Sequence, residues 1–273
     1  MRGDMIIGKD FARACETGKT GVVHSVFERT ANIRADGLLT ILCDDMDVMP
    51  SCLIVKDALP GTWAKHMNIG DKVIFTPETL YVNNAPIVGR INYAKRWNRL
   101  TDAKINRLQK PSKKLLLQNL RTTEAYLNNL FEPTIKIPNA ESFNPLDIIG
   151  LGSGLTPAGD DFLAGMLFSM IFMEKLYGVK NPRLPALIDS TRRNLHMTGE
   201  ISRHFLNYAL EGEWGQNTEN FLVALARDSD ENLKVAIDKK LTFGASSGAD
   251  ELAGCLFAAR EYVITSQDID RHL

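Results

Sequence analysis

Two short segments carry residue types whose spacing suits chemistry. The first is Gly150-Leu151-Gly152-Ser153-Gly154-Leu155-Thr156-Pro157-Ala158-Gly159-Asp160-Asp161-Phe162-Leu163-Ala164-Gly165. Its glycines lead into Thr156, a natural helix cap, and Pro157, a natural first helical residue. Glycine lets backbone N–H groups approach a ligand. A helix start adds unpaired donors and a partial positive charge. Gly152, Gly154 and Thr156 therefore form a candidate pocket for a small anion. The segment has no lysine after its last turn glycine, so it is not a GxxxxGK[ST] phosphate loop, and Leu155 occupies the last glycine place of GxGxxG. Ser153 stands fourth in Gly150–Gly154, not third as a nucleophile elbow requires.

Asp160 and Asp161 fall in the first turn of the helix that follows. Two readings stay open. Carboxylates at that place complement the helix dipole and need no other role. Alternatively, they orient a substrate N–H group, act as a base, or hold Mg²⁺ against a bound phosphate. A later segment, Gly248–Gly254, repeats Gly159–Gly165 as G-x-D-x-L-A-G, with Ser246 or Ser247 ahead of it as a cap. The two turns can face one another across one pocket, with Asp161 paired to Asp250 and Gly159 matched by Gly248. The competing reading is that the repeated glycines only let two helices pack closely.

A third candidate lies in the helical stretch Pro185–Leu210. Thr198 and Ser202 fall on its apolar stripe. Inward hydroxyls either bond back to helix carbonyls or line a polar site. His196, Glu200 and His204 are spaced four apart, which suits a metal on one helix face. The spacing is not HExxH, and Gly199 interrupts it, so surface histidines are the plainer reading.

Two kinds of element must position these residues. Up to about residue 100 the pattern is β-like. Gly21–Glu28, Leu38–Cys43, Ser51–Val55 and Asp71–Thr76 are short apolar or alternating runs, and Leu80–Val82 and Pro86–Val88 flank Asn83-Asn84 as a tight hairpin. Such strands suggest a small barrel or sandwich. Beyond that point the periodicity is helical over Pro111–Phe131, Pro157–Tyr177, Pro185–Met197, Gly199–Leu210, Thr218–Ala226, Glu231–Lys240 and Ser246–Ile264, with a proline-rich loop over Pro133–Pro145. The expected fold class is α+β. A β-rich domain over 1–105 precedes a mainly helical domain over 106–273 that carries the glycine motifs.

The whole chain narrows the function classes. Its 273 residues carry a formal net charge of −1, so no broad basic field gathers phosphates and a nucleic-acid role has no electrostatic support. The basic segment Lys104–Lys114 reads as a solvated helix start or linker. Cys15, Cys43, Cys52 and Cys255 form no CxxC pair and read as free thiols of a reducing compartment. The most apolar window, Phe162–Phe172, is shorter than the roughly 20 residues of a membrane span and reads as a buried helix. A cytoplasmic protein with no membrane contact is expected.

At the two motifs the chain resembles a known family. GLGSGLTPAGDDFLAG and the later FGASSGADELAG are similar to the paired motifs of the family that includes the AllH subunit of oxamate carbamoyltransferase. There the first motif usually reads GxGPGLTPSGDDFLxG and the second GHTSGxDxLxG. Ser153, Ala158 and Ala245 depart from the common proline, serine and histidine, while Thr156, Asp160, Asp161, Ser247, Gly248 and Asp250 are kept. The resemblance implies a subunit of a complex acting in allantoin and purine nitrogen catabolism. That complex exchanges a carbamoyl group between oxalurate and phosphate, giving oxamate and carbamoyl phosphate. It also implies other subunits as partners and a small anionic substrate. A non-catalytic scaffold or ligand-sensing subunit is the alternative. A standalone hydrolase fits less well, because the motifs contain no nucleophile–histidine pair.

Overall fold

The computed structural model describes residues 4–44, 46–130, 144–227, 230–242, 244 and 246–269. The chain divides between Arg99 and Leu100 into two compact units.

The first unit is built on one sheet. Its elements are β1 (Met5–Ile7), α1 (Lys9–Glu16), β2 (Thr20–Val26), β3 (Thr30–Ala35), β4 (Gly37–Cys43), β5 (Cys52–Val55), β6 (Lys72–Phe75), β7 (Thr79–Val82), β8 (Ala85–Gly89) and β9 (Lys95–Arg96). The spatial order is β8-β7-β6-β2-β3-β4-β5-β1-β9. Neighbours run antiparallel except β4 with β5 and β1 with β9. The sheet curls into a half-barrel, the architecture expected of the strand pattern. Asn83 and Asn84 both adopt positive φ, 47° and 66°, which gives the β7–β8 hairpin its tight turn. The sequence pattern does not reveal β1, α1, β3 or β9. β3 reads Thr-Ala-Asn-Ile-Arg-Ala, with no apolar run, and is held as a strand by pairing with β2 on one side and β4 on the other. Helix α1 is too short for its period to stand out, yet it buries Phe11 against Phe75, with ring centroids 5.4 Å apart in an edge contact. Trp63, Ile33, Ile41 and Leu53 fill the same core.

The second unit is helical: α2 (Asp102–Ile105), α3 (Lys113–Leu130), α4 (Ala158–Tyr177), α5 (Leu184–Asn194), α6 (Glu200–Leu210), α7 (Gln216–Leu225), α8 (Asp230–Leu241) and α9 (Ser247–Ile269). Apart from the short α2, which the periodicity does not reveal, these spans follow the helical periodicity closely. Most of the proline-rich stretch 133–145 lies outside the described residues. α4 is buried almost all round, from Ala158 to Met173, and so it is apolar on every face. α9 runs along it, and α6, α5 and α2 pack on other sides. Phe162 meets Phe257 of α9 at 5.7 Å, and Trp214 is wedged between Phe168 and Phe172. All four cysteines are free and buried; Cys255 donates to the Gly165 carbonyl at 3.2 Å. Among the described residues, no helix is long and apolar enough to cross a membrane.

The stretch Pro185–Leu210 departs from a continuous helix. α5 ends at Asn194, Leu195–Met197 forms a 3₁₀ turn, Thr198 is extended, and Gly199 precedes α6. His196, Glu200 and His204 therefore do not share one helix face. His196 Nδ1 lies 3.1 Å from the Arg193 carbonyl, and the His204 ring meets Phe205 and Tyr208 edge-on. The metal-like spacing dissolves because the backbone turns at Thr198.

Candidate functional site

Glycine shapes the approach to α4. Gly150 and Gly152 hold φ values of +73° and +119° that side chains rarely adopt. A Cβ on Gly150 would lie 2.7 Å from the Met197 carbonyl oxygen, and one on Gly152 would lie 2.8 Å from the Ala158 nitrogen. The turn 151–155, Gly152 and Gly154 included, is exposed. Proline stands one place earlier than its preferred slot: Pro157 is the cap residue and Ala158 begins the helix. Thr156 makes no cap. Its hydroxyl turns to the second motif and lies 2.9 Å from the hydroxyl of Ser247, the first residue of α9. The two helix starts thus face each other. Backbone donors in both first turns are largely satisfied within the chain. Gly159 N–H bonds the Leu151 carbonyl, Asp160 and Asp161 N–H bond that of Pro157, and Ala249 and Asp250 N–H bond that of Ser246.

The adjacent acids are separated by the helix itself. Successive helical residues point about 100° apart. Asp160 turns toward α6. One of its oxygens accepts from Gly150 N–H at 2.9 Å, and the other accepts from Ser202 Oγ at 2.6 Å and from Thr198 Oγ1. Both candidate hydroxyls of the Pro185–Leu210 stretch are thereby placed: they bond a carboxylate, not helix carbonyls. With three donors on it, Asp160 ties the glycine turn to α6. It does not stand beside Asp161 as a second ligand for Mg²⁺. Among the described residues, no three His, Cys, Asp or Glu side chains gather to hold a metal.

Asp161 turns instead toward α9. One of its carboxyl oxygens is buried with no hydrogen-bond partner among the described residues. Burial sets its charge state, and groups of α8 and α9 adjust it. The carboxyl is pushed up from 3.8 to about 8, chiefly by burial; a hydrogen bond from Ser247 opposes this, Glu251 adds to it, Lys240 opposes it and Asp250 adds to it. The three acids are 1%, 8% and 2% exposed at positions 160, 161 and 250, so Asp161 keeps the most contact with solvent.

Beneath this pair lies a cluster that the sequence pattern does not reveal. Lys240 Nζ bonds Glu251 Oε2 at 2.7 Å and Thr218 Oγ1 at 3.0 Å, and Thr218 donates to Glu251 Oε1 at 2.6 Å. All three are buried. Glu251 stands next to Asp250 in the second motif, which is the one local signal for it. Lys240 and Thr218 come from other helices, and nothing near them in sequence marks them.

The glycines of the echo have separate work. Gly165 packs on the Glu251 carbonyl and Gly254 on the Phe162 carbonyl, each so close that a Cβ would lie 1.9 Å from the oxygen. Gly159 and Gly248 sit in the same way on the carbonyls of Ile148 and Lys240, at 1.9 Å and 2.1 Å. The repeated motif therefore packs helices closely and also brings its acids together. Ala245, which takes a common histidine place, lies outside the described residues.

The raised carboxyl has a thermodynamic consequence. A native Asp161 that holds its proton up to about pH 8 binds a proton that the unfolded chain has released above about pH 4. The native state then carries more protons, so this group's contribution to stability is greatest at low pH and falls as pH rises through that window. Asp161→Asn removes the effect. The stability difference between variant and parent is expected to change by roughly 1.4 kcal/mol per pH unit between pH 5 and 7. Urea unfolding at several pH values measures it, and a constant difference would mean that Asp161 is ionised in the native state.

Comparison with known families places both units. A family model described as oxamate carbamoyltransferase subunit AllH matches residues 148–259, the span from the first motif through the second. The AllH family N-terminal domain matches residues 3–99, the curled-sheet unit. No solved structure gives a significant match. Two matches that cover most of the chain, one of them across both glycine–aspartate turns, make it a member of the AllH family, the family of an oxamate carbamoyltransferase subunit.

Proposed function

We propose that the meeting point of the two glycine–aspartate turns is the substrate site of a carbamoyltransferase subunit, and that Asp161 is its acid–base residue. The observation that carries this reading is the buried Asp161 oxygen with no hydrogen-bond partner among the described residues, beside the Thr156–Ser247 hydroxyl pair. A buried polar atom left unsatisfied calls for an explanation, and a bound ligand supplies one.

The chemistry fits such a group. In transfer from oxalurate to phosphate, a phosphate oxygen bonds to the carbamoyl carbon, the bond from that carbon to the oxamate nitrogen breaks, and the nitrogen takes up a proton. A carboxyl that titrates near 8 holds that proton at neutral pH and can receive it back in the reverse direction. Thr156 and Ser247 would donate to substrate oxygens, and the turn Gly152–Gly154 would face the anionic group. Asp250 would share the negative charge, and Asp160 would act at a distance by fixing the turn. Partner subunits complete the enzyme, in a pathway of purine nitrogen catabolism. Four buried free thiols support a cytoplasmic setting.

A specific observation favours a second reading. The packing of Gly165 and Gly254 explains the spacing of the repeated motif with no ligand at all, as a scaffold subunit would need. It does not explain the orphan oxygen of Asp161. Thermal unfolding of the chain with carbamoyl phosphate, oxamate or oxalurate separates the two. Saturation at a hundred times Kd adds about 2.7 kcal/mol, a rise of several degrees. No shift with any of the three, alone or in the assembled complex, would leave the scaffold reading standing.

A further inference from the structure

Lys240 is held at both ends by the first turn of α9. Its backbone carbonyl lies where a Cβ on Gly248 would come within 2.1 Å, so no side chain at 248 could keep α8 and α9 this close. Its ammonium reaches on to Glu251 at 2.7 Å and to Thr218 of α7 at 3.0 Å. Between those two grips lie Ala249 and Asp250, and just before them Ser247, whose hydroxyl meets Thr156. The lysine is 3% exposed. Fully burying an ammonium is costly, and a hydrophobic side chain would pack the same space at less expense in solvation. The placement of this charge therefore asks for a reason beyond stability.

We propose that Lys240, with Glu251 and Thr218, is a positioning device that fixes the first turn of α9 so that Ser247 and Asp250 face Asp161 in one geometry. The inference rests on the reading of Asp161 as the acid–base residue. Among the described residues, the groups that act on Asp161 are Ser247, by a hydrogen bond, and the charges of Asp250 and Glu251 from α9 and Lys240 from α8. Lys240 and Glu251 act on it with opposite sign, so a change to either one alone has a direction that can be stated beforehand.

The test uses the assembled complex. Lys240→Met/Glu251→Gln removes both charges with little change in volume and leaves no buried ion unpaired. It is expected to fold with an unchanged circular dichroism spectrum and to lose at least tenfold in turnover. Glu251→Gln alone, which keeps the cation, is expected to move the pH–rate limb of Asp161 to lower pH. A double variant with full turnover would overturn the proposal. So would one that cannot fold, since the cluster would then be a requirement of the fold and not a separable positioning device. A pH–rate limb that stays in place in a folded Glu251→Gln would overturn it too. Asp161→Asn keeps the two ideas distinguishable. If it retains full turnover, the underlying reading of the site fails; if it is inactive while the double variant is fully active, only the role of Lys240 fails.

Discussion

Asp161→Asn is expected to lower turnover of the assembled complex by roughly a thousandfold while leaving the fold intact. General acid–base groups contribute about 10²–10⁴ to rate. Asparagine keeps the shape and a donor but cannot exchange a proton at any working pH. The orphan oxygen of Asp161 becomes an amide group in the same buried place, so the helix seam is preserved. At pH 8 and above the variant should even be the more stable protein, because it no longer buries an ionised carboxylate. Loss of turnover with a gain in stability at high pH is a joint signature that a purely structural aspartate does not give. Asp160→Asn makes the informative contrast. Its carboxylate bonds Gly150, Thr198 and Ser202, so that variant should lose stability as well as turnover. Steady-state rates with circular dichroism and urea unfolding check all of this. An Asp161→Asn complex with parental turnover removes Asp161 from the chemistry.

Gly165→Ala and Gly254→Ala should each destabilise the second unit severely, by at least about 3 kcal/mol. In both cases the added methyl would sit 1.9 Å from a backbone carbonyl oxygen of the facing helix. No rotamer relieves that clash, because the obstacle is main chain. The helices must separate, and separation opens the core around Phe162, Leu252 and Phe257. Gly199→Ala is the matched control, since Gly199 has φ −66° and nothing within 4 Å of an added Cβ. Its effect should stay within about 1 kcal/mol, the cost of replacing a glycine cap by alanine. Thermal and urea unfolding of the three variants decide the matter. Equal stability of Gly165→Ala and the parent would show that α4 and α9 do not cross at these glycines. The comparison also bears on function. If the glycine changes abolish folding while Asp161→Asn leaves turnover untouched, the motif is a packing device alone.

Much of this architecture is written in local sequence. The change from alternating to helical periodicity near residue 100 separates sheet from helices, because side-chain periods of 2 and 3.6 follow from backbone geometry. Asn83-Asn84 announces its hairpin, since asparagine tolerates positive φ. The two G-x-D-x-L-A-G segments announce themselves as a pair and point to their family. Other elements escape local reading. β3 owes its extended form to two partner strands, and the break at Thr198 serves Asp160, a residue 38 positions away.

The division of labour between neighbouring acids shows most clearly what sequence determines and what it leaves to the fold. The sequence by itself places Asp160 and Asp161 in a helix first turn and repeats the second of them at Asp250. It does not say which acid is tied down and which is left open, because that depends on what each side of the helix meets. One residue of helical rotation sends Asp160 to the hydroxyls of Thr198 and Ser202 and Asp161 to the acids and lysine of α8 and α9. Lys240 and Thr218 enter the site only through tertiary packing, for a charge bonded 11 positions along the chain and a hydroxyl bonded 33 positions along it leave no periodic trace.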